Sequence, residues 1–220
     1  MSTERFRQSE EVESNIFRRD ITYDESQQQY TEWADYYDAT LDDKPKVYSV
    51  LVMYEQGVEK LFSDKSQRRC LDLGAGTGLT GERLRKVGYS DFDGVEPNEK
   101  MADALKKKGI YKNITVAPIG GDKPLDIPDN SYDLIACGGS FAAGHIPCSA
   151  IPEIVRLLKP GQIIVAYLLL SMVVISSIAC VKSSSTMFRS TRTGLSLSSM
   201  SLRRKGKSRT SNGLFIPIIM

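Results

Sequence analysis

The chain has 220 residues, 41% hydrophobic and 25% charged. That is enough to bury one sizeable core and too ordinary for a collagen-like or disulfide-stapled protein. The net charge of +2 is unevenly placed: residues 1–153 hold 19 basic and all 27 acidic residues, a net of −8, whereas residues 154–220 hold 10 basic residues and no acid. An acidic body argues against a nucleic-acid binder built around a basic groove, and the change of sign marks two compositionally different parts. Cys70, Cys137, Cys148 and Cys180 form no C-x-x-C pair, and His145 is the one histidine. No metal site is therefore expected, and the thiols read as reduced in a cytoplasmic protein.

Residues 1–29 are polar, with no apolar leader, and read as a frayed segment. From Tyr30 to Leu41 the residues Tyr30, Trp33, Ala34 and Tyr37 fall on one helical face. Pro45 opens a second predicted helix that runs to about residue 62. Strands and helices then alternate. Strands are predicted at 69–73, 92–96, 114–117 and 132–137, and from Ile163 onward; helices are predicted at 79–87, 98–108 and 151–158. Short links between them imply an α/β fold with a doubly wound, mostly parallel sheet.

After Tyr167 this rhythm stops. Residues 168–181 are apolar and residues 182–211 are rich in Ser, Arg and Lys. The run 163–181 carries no charge over 19 residues, the length of a membrane span. Residues 163–167 are needed as the fifth strand, however, so membrane insertion is not expected. The organisation expected is a polar segment at 1–29, a domain at 30–167 and an atypical terminus at 168–220.

The sharpest local signal is Leu71-Asp72-Leu73-Gly74-Ala75-Gly76-Thr77-Gly78-Leu79. Glycines let the backbone turn from strand to helix and approach a ligand closely, and the helix start presents amide N–H groups to an anion. Glu96 ends the next strand, where a carboxylate can accept both hydroxyls of a ribose. Gly76 to Gly81 reads literally as G-x-G-x-x-G, a dinucleotide pattern that would make the chain an NAD-type oxidoreductase. The strand runs directly into Gly74, though, which puts Leu79 where the third glycine should stand. Asp72, inside the strand, is suited instead to a cationic amino group. A ligand with an amino acid at one end and a ribose at the other fits Asp72, the turn and Glu96 together.

D-L-G-A-G-T-G followed by G-V-E-P at 94–97 resembles the first two motifs of class I S-adenosylmethionine-dependent methyltransferases. The aromatic segment 30–38 is similar to their cofactor-covering helix. Residues 125–133, L-D-I-P-D-N-S-Y-D, resemble the run into their fourth strand, and L-L-K-P-G at 157–161 the turn before the fifth. More narrowly, residues 144–153 resemble the methyltransferase-like family named for the Williams-Beuren syndrome chromosomal region. The resemblance covers about residues 30–167. It implies a Rossmann-like fold and S-adenosylmethionine as cofactor. It also implies a cofactor site of Asp72, Gly74, Ala75, Gly76, Gly78, Glu96, Pro97 and Gly138, with Tyr30 and Trp33 as lid.

Three departures from the family stand out. Gly121 takes the place of an acidic residue near the adenine, with Asp122 beside it. Gln162 replaces a glycine. The C-terminal antiparallel hairpin is not legible after Tyr167, which leaves the fifth strand at an open edge. The expected reaction is methyl transfer, to a small molecule before a protein side chain. Cys137-Gly138-Gly139-Ser140-Phe141 lacks the N/D-P-P-Y/F of enzymes that methylate base amino groups, so nucleic acid is not the expected acceptor. A cofactor-binding protein without activity is the alternative. His145, in the loop after the fourth strand, is a candidate base; Cys137 reads as a buried strand residue.

Overall fold

The computed structural model describes residues 11–12, 14–42 and 57–168, and the backbone of 214–219. Helical residues at 11–12 and 14–16 precede α1, Tyr23–Trp33, and α2, Tyr37–Asp42. The single helix expected from Tyr30 is thus two, and the first starts inside the segment expected to fray. A capping box fixes that start: Thr22 Oγ1 accepts the Glu25 N–H (3.3 Å), and the Glu25 carboxylate accepts the Thr22 N–H (2.8 Å). Most of the helix expected from Pro45 lies outside the described residues, as does 169–213 of the C-terminal segment.

Next come β1 (Arg69–Leu73), α3 (Leu79–Lys86), β2 (Asp91–Val95), α4 (Glu99–Lys108), β3 (Asn113–Thr115), β4 (Tyr132–Gly138), α5 (Ile151–Leu157), β5 (Leu158–Leu168) and β6 (Leu214–Ile219). The sheet order is β3-β2-β1-β4-β5-β6. The first five strands pair in parallel, while β6 runs antiparallel to β5, from Ile163 opposite Ile219 to Leu168 opposite Leu214. The edge expected to be bare is therefore paired. The expected Lys159-Pro160-Gly161 turn lies within β5. There the β4 register jumps from Tyr132–Leu158 to Leu134–Ile163, and Gly161 adopts φ 75°. No helix among the described residues is long and apolar enough to cross a membrane.

Parallel strands are covered on both faces, which explains their continuous apolar runs. Leu71 and Leu73 of β1 pack with Ile135, Ile154 and Leu157 on one face; Cys70 packs with Leu84, Phe92 and Leu134 on the other. Chain order reverses between β1 and β4, and in open α/β sheets the crevice at the strands' carboxyl ends at such a switch point holds ligands.

Asn98 closes that crevice from one side. Its Oδ1 accepts the Met101 N–H (3.1 Å) and caps α4. Its Nδ2 donates to Gln27 O and Thr31 Oγ1 (both 2.8 Å) and fastens α1 across the strand ends. Asn98→Ala is expected to lose both functions and about 1 kcal/mol or more of stability. Asn98→Asp keeps the cap and removes the donor. Its expected signature is wild-type protection of amides in α4 and faster hydrogen exchange in residues 23–33.

Candidate functional site

β1 delivers the chain into a turn that the glycines make possible. Gly74, Gly76 and Gly78 all have positive φ (68°, 57° and 97°), a region disfavoured for residues with a Cβ. The turn is pinned to the end of β2, where Val95 O accepts the N–H groups of Gly74 (2.9 Å) and Ala75 (3.1 Å). A Cβ at Gly74 would collide with the Ser140 side chain, whereas one at Gly76 would meet nothing within 4 Å.

Glu96 stands one step beyond β2. It is 6% exposed. Its Oε2 accepts the Gly76 N–H (2.7 Å) and its Oε1 accepts the Asn98 N–H (2.8 Å). Burial raises its pKa, against the pull of the Asn98 and Gly76 amides. One carboxylate thus joins the glycine turn to the start of α4.

Asp72 lies beneath the turn and is fully buried. Tyr111 donates its hydroxyl to Oδ2 (2.6 Å), while Oδ1 has no hydrogen-bond partner among the described residues. Burial pushes its pKa from 3.8 up to about 7, opposed by the Tyr111 hydroxyl. Room for Tyr111 comes from glycine. A Cβ at Gly81 would collide with the Tyr111 hydroxyl, and one at Gly94 would come within 3.2 Å of the ring. Gly81 therefore serves packing inside the domain, against the Tyr111 ring.

An open cleft lies over these strand ends, where an open α/β sheet places its ligands. Of the residues singled out in the sequence, Tyr30, Tyr37, Gly74, Gly76, Glu96, Pro97, Gly138 and His145 line it. Asp72, Ala75 and Gly78 support the turn from below or behind. Trp33 does not line the cleft: its ring is 2% exposed and packs with Ile16 and Leu41 under the helices. Gly121 and Asp122 are exposed and stand apart from the cleft wall, which Ala117, Pro118 and Ile119 form there. Sequence reasoning missed Tyr111, Gln27 and Tyr23, which belong to no motif. It also missed Asp38, which accepts the Thr77 hydroxyl and ties α2 to the turn.

Residues 71–166 match the family described as Methyltransferase domain. Methyltransferase-like protein 27 of Homo sapiens is 32% identical over 94 residues, 43% of this chain and 38% of that protein. A demethylmenaquinone methyltransferase of Staphylococcus aureus is 31% identical over 124 residues, 54% of this chain and 48% of that protein. The chain thus spans less than half the length of these relatives. A crystal structure of a putative S-adenosyl-L-methionine-dependent methyltransferase from Methanococcus maripaludis superposes with a TM-score of 0.50. Its sequence identity is 18%, and the match covers 64% of this chain and 62% of that one; it supports the fold.

S-adenosylmethionine is the cofactor that the match over residues 71–166 implies, and this segment offers groups that fit it. These are the orphaned Asp72 Oδ1, the buried Glu96 carboxylate and the unobstructed space at Gly76.

The raised Asp72 pKa has a testable sign. Between 3.8 and about 7 the folded state holds a proton that the unfolded state has lost, so stability falls as pH rises through that window. Asp72→Asn removes the titration. The expected result, from denaturant melts at several pH values, is that the stability of the variant relative to wild type increases across the window. A constant difference between the two would place the Asp72 titration elsewhere.

Proposed function

We propose that the chain transfers a methyl group from S-adenosylmethionine to a neutral small-molecule acceptor. The observation that carries this reading is the Glu96 carboxylate, buried at the cleft wall and bonded to the Gly76 amide of the glycine turn (2.7 Å). When bound, the cofactor supplies a methyl carbon activated by the adjacent sulfonium charge. Glu96 is suited to receive the ribose hydroxyls on its free lone pairs. The Asp72 carboxylate biases that end of the cleft toward an ammonium group, and Pro97, Ile119 and Gly138 give it flat, apolar walls. Tyr30, on α1, excludes water from above. Holding two reactants in line is itself worth several kcal/mol, about 7 or more in well-oriented cases.

The acceptor class follows from the lining. Glu96 is the one carboxylate side chain there among the described residues, and neither Lys nor Arg contributes. Such a wall suits a neutral molecule better than a phosphate-bearing one. The Staphylococcus aureus relative is named for a small acceptor, demethylmenaquinone, which supports the same choice over a protein side chain. Cys70, Cys137 and Cys148 are free thiols, consistent with work in a reducing compartment such as the cytoplasm.

Calorimetry tests the reading. S-adenosylhomocysteine is expected to bind and NAD is not; NAD binding alone would overturn it. Glu96→Ala is expected to weaken S-adenosylhomocysteine by about 1–3 kcal/mol through lost charge-assisted hydrogen bonds. Unchanged affinity would move the ribose away from Glu96.

A further inference from the structure

The cleft has a second polar feature beside the glycine turn and Glu96. His145 lies on its wall, in the loop after β4, and its Nε2 is 2.8 Å from the Tyr30 hydroxyl. Its Nδ1 is 2.7 Å from Ala143 O. A carbonyl oxygen only accepts, so Nδ1 carries the proton. In the neutral imidazole Nε2 is then a lone pair, and Tyr30 donates to it.

The pair is held rigidly. The His145 ring stacks on Phe17 (centroids 5.9 Å apart, 5° between planes) and meets the Tyr30 ring edge-on (5.5 Å, 88°). Its loop is tied down by Ser26 Oγ donating to Gly144 O (2.5 Å) and by Ile146 N–H donating to Ser140 O (2.9 Å). Gly144 has φ 67°, and a Cβ there would approach Thr22 O to 2.8 Å, so the loop sits tightly beneath the start of α1.

We infer that Tyr30 and His145 form the proton-accepting pair on the acceptor side of the cleft, serving an acceptor with a dissociable proton such as a phenolic hydroxyl. This rests on the methyl-transfer reading above. The acceptor oxygen's lone pair forms the bond to the methyl carbon as the carbon–sulfur bond breaks onto sulfur. The acceptor's proton passes to the Tyr30 oxygen, and the Tyr30 hydroxyl proton passes to His145 Nε2. The positive charge that leaves sulfur reappears on the imidazole, whose Nδ1–H still faces Ala143 O, and the proton returns to water after the product departs.

The surroundings agree with these roles. Burial lowers the His145 pKa, so the base is neutral near pH 7. Burial, with Tyr37 and Glu96 nearby, raises that of Tyr30, which therefore relays a proton and does not ionise by itself. The titratable groups facing the pair are Tyr23, Tyr37 and Glu96. The aromatic side chains around it suit a flat, neutral acceptor.

Because the chain has a single histidine, ¹⁵N-histidine labelling yields one imidazole. In the free protein its neutral form is expected to carry the proton on Nδ1 and to titrate below the ordinary histidine value. In Tyr30→Phe the Nε2 resonance is expected to move toward that of an unbonded nitrogen. A neutral form protonated on Nε2 would overturn the proposal. The second arm uses phenol and 4-nitrophenol as acceptors in mildly alkaline buffer. His145→Gln is expected to cost phenol at least tenfold in transfer rate, and to cost nitrophenol, already ionised, much less. Its S-adenosylhomocysteine affinity should stay within threefold. Equal losses with both phenols would overturn the proposal. Failure to bind S-adenosylhomocysteine would instead defeat the methyl-transfer reading, and the imidazole titration is read independently of it.

Discussion

Two backbone amides, those of Gly76 and Asn98, converge on the Glu96 carboxylate at 2.7 and 2.8 Å. A carboxylate buried in this way is costly unless its lone pairs are satisfied, and here the turn that follows β1 and the start of α4 both depend on satisfying it. The amides are available only because Gly76 adopts a backbone conformation that a side chain would strain and because Asn98, at the head of α4, has an N–H unused by the helix. Displacing Glu96 would leave two amide donors without their partner and loosen both walls of the cleft.

The floor and roof extend this arrangement. Asp72 lies in the floor on the α3 face of the sheet, where burial works against its charge and the Tyr111 hydroxyl and Gly81 amide work for it. Its discomfort in the free protein is the kind of strain that a cationic ligand group relieves. The roof is α1, held by Asn98 on one side and by the Ser26–Gly144 and Tyr30–His145 contacts on the other. α1 thus touches both the α4 wall and the loop after β4, and the residues on its inner face meet the space where an acceptor would sit.

The fold was legible because its signals are local. Apolar runs mark strands buried on both faces, Asn98 and Gly109 bracket α4, and glycines end β1. The turn and Glu96 were legible because their chemistry requires those residue types at that spacing. Other features depend on contacts distant in sequence. Tyr111 reaches Asp72 across 39 residues and Tyr30 reaches His145 across 115. Periodicity placed Tyr30 and Trp33 on one helical face but could not tell the cleft from the core, and Trp33 lies in the core. The strand 214–219 follows a Ser/Arg/Lys-rich stretch, and its pairing with β5 is set by an edge far away in sequence.

A crystal structure grown with S-adenosylhomocysteine tests the central claim most directly. The account predicts both ribose hydroxyls on the Glu96 carboxylate, the amino group on the side of Asp72 and the sulfur facing the Tyr30–His145 side of the cleft. A ligand bound away from Glu96, or a glycine turn rearranged so that the Gly76 amide no longer adjoins it, would contradict the account.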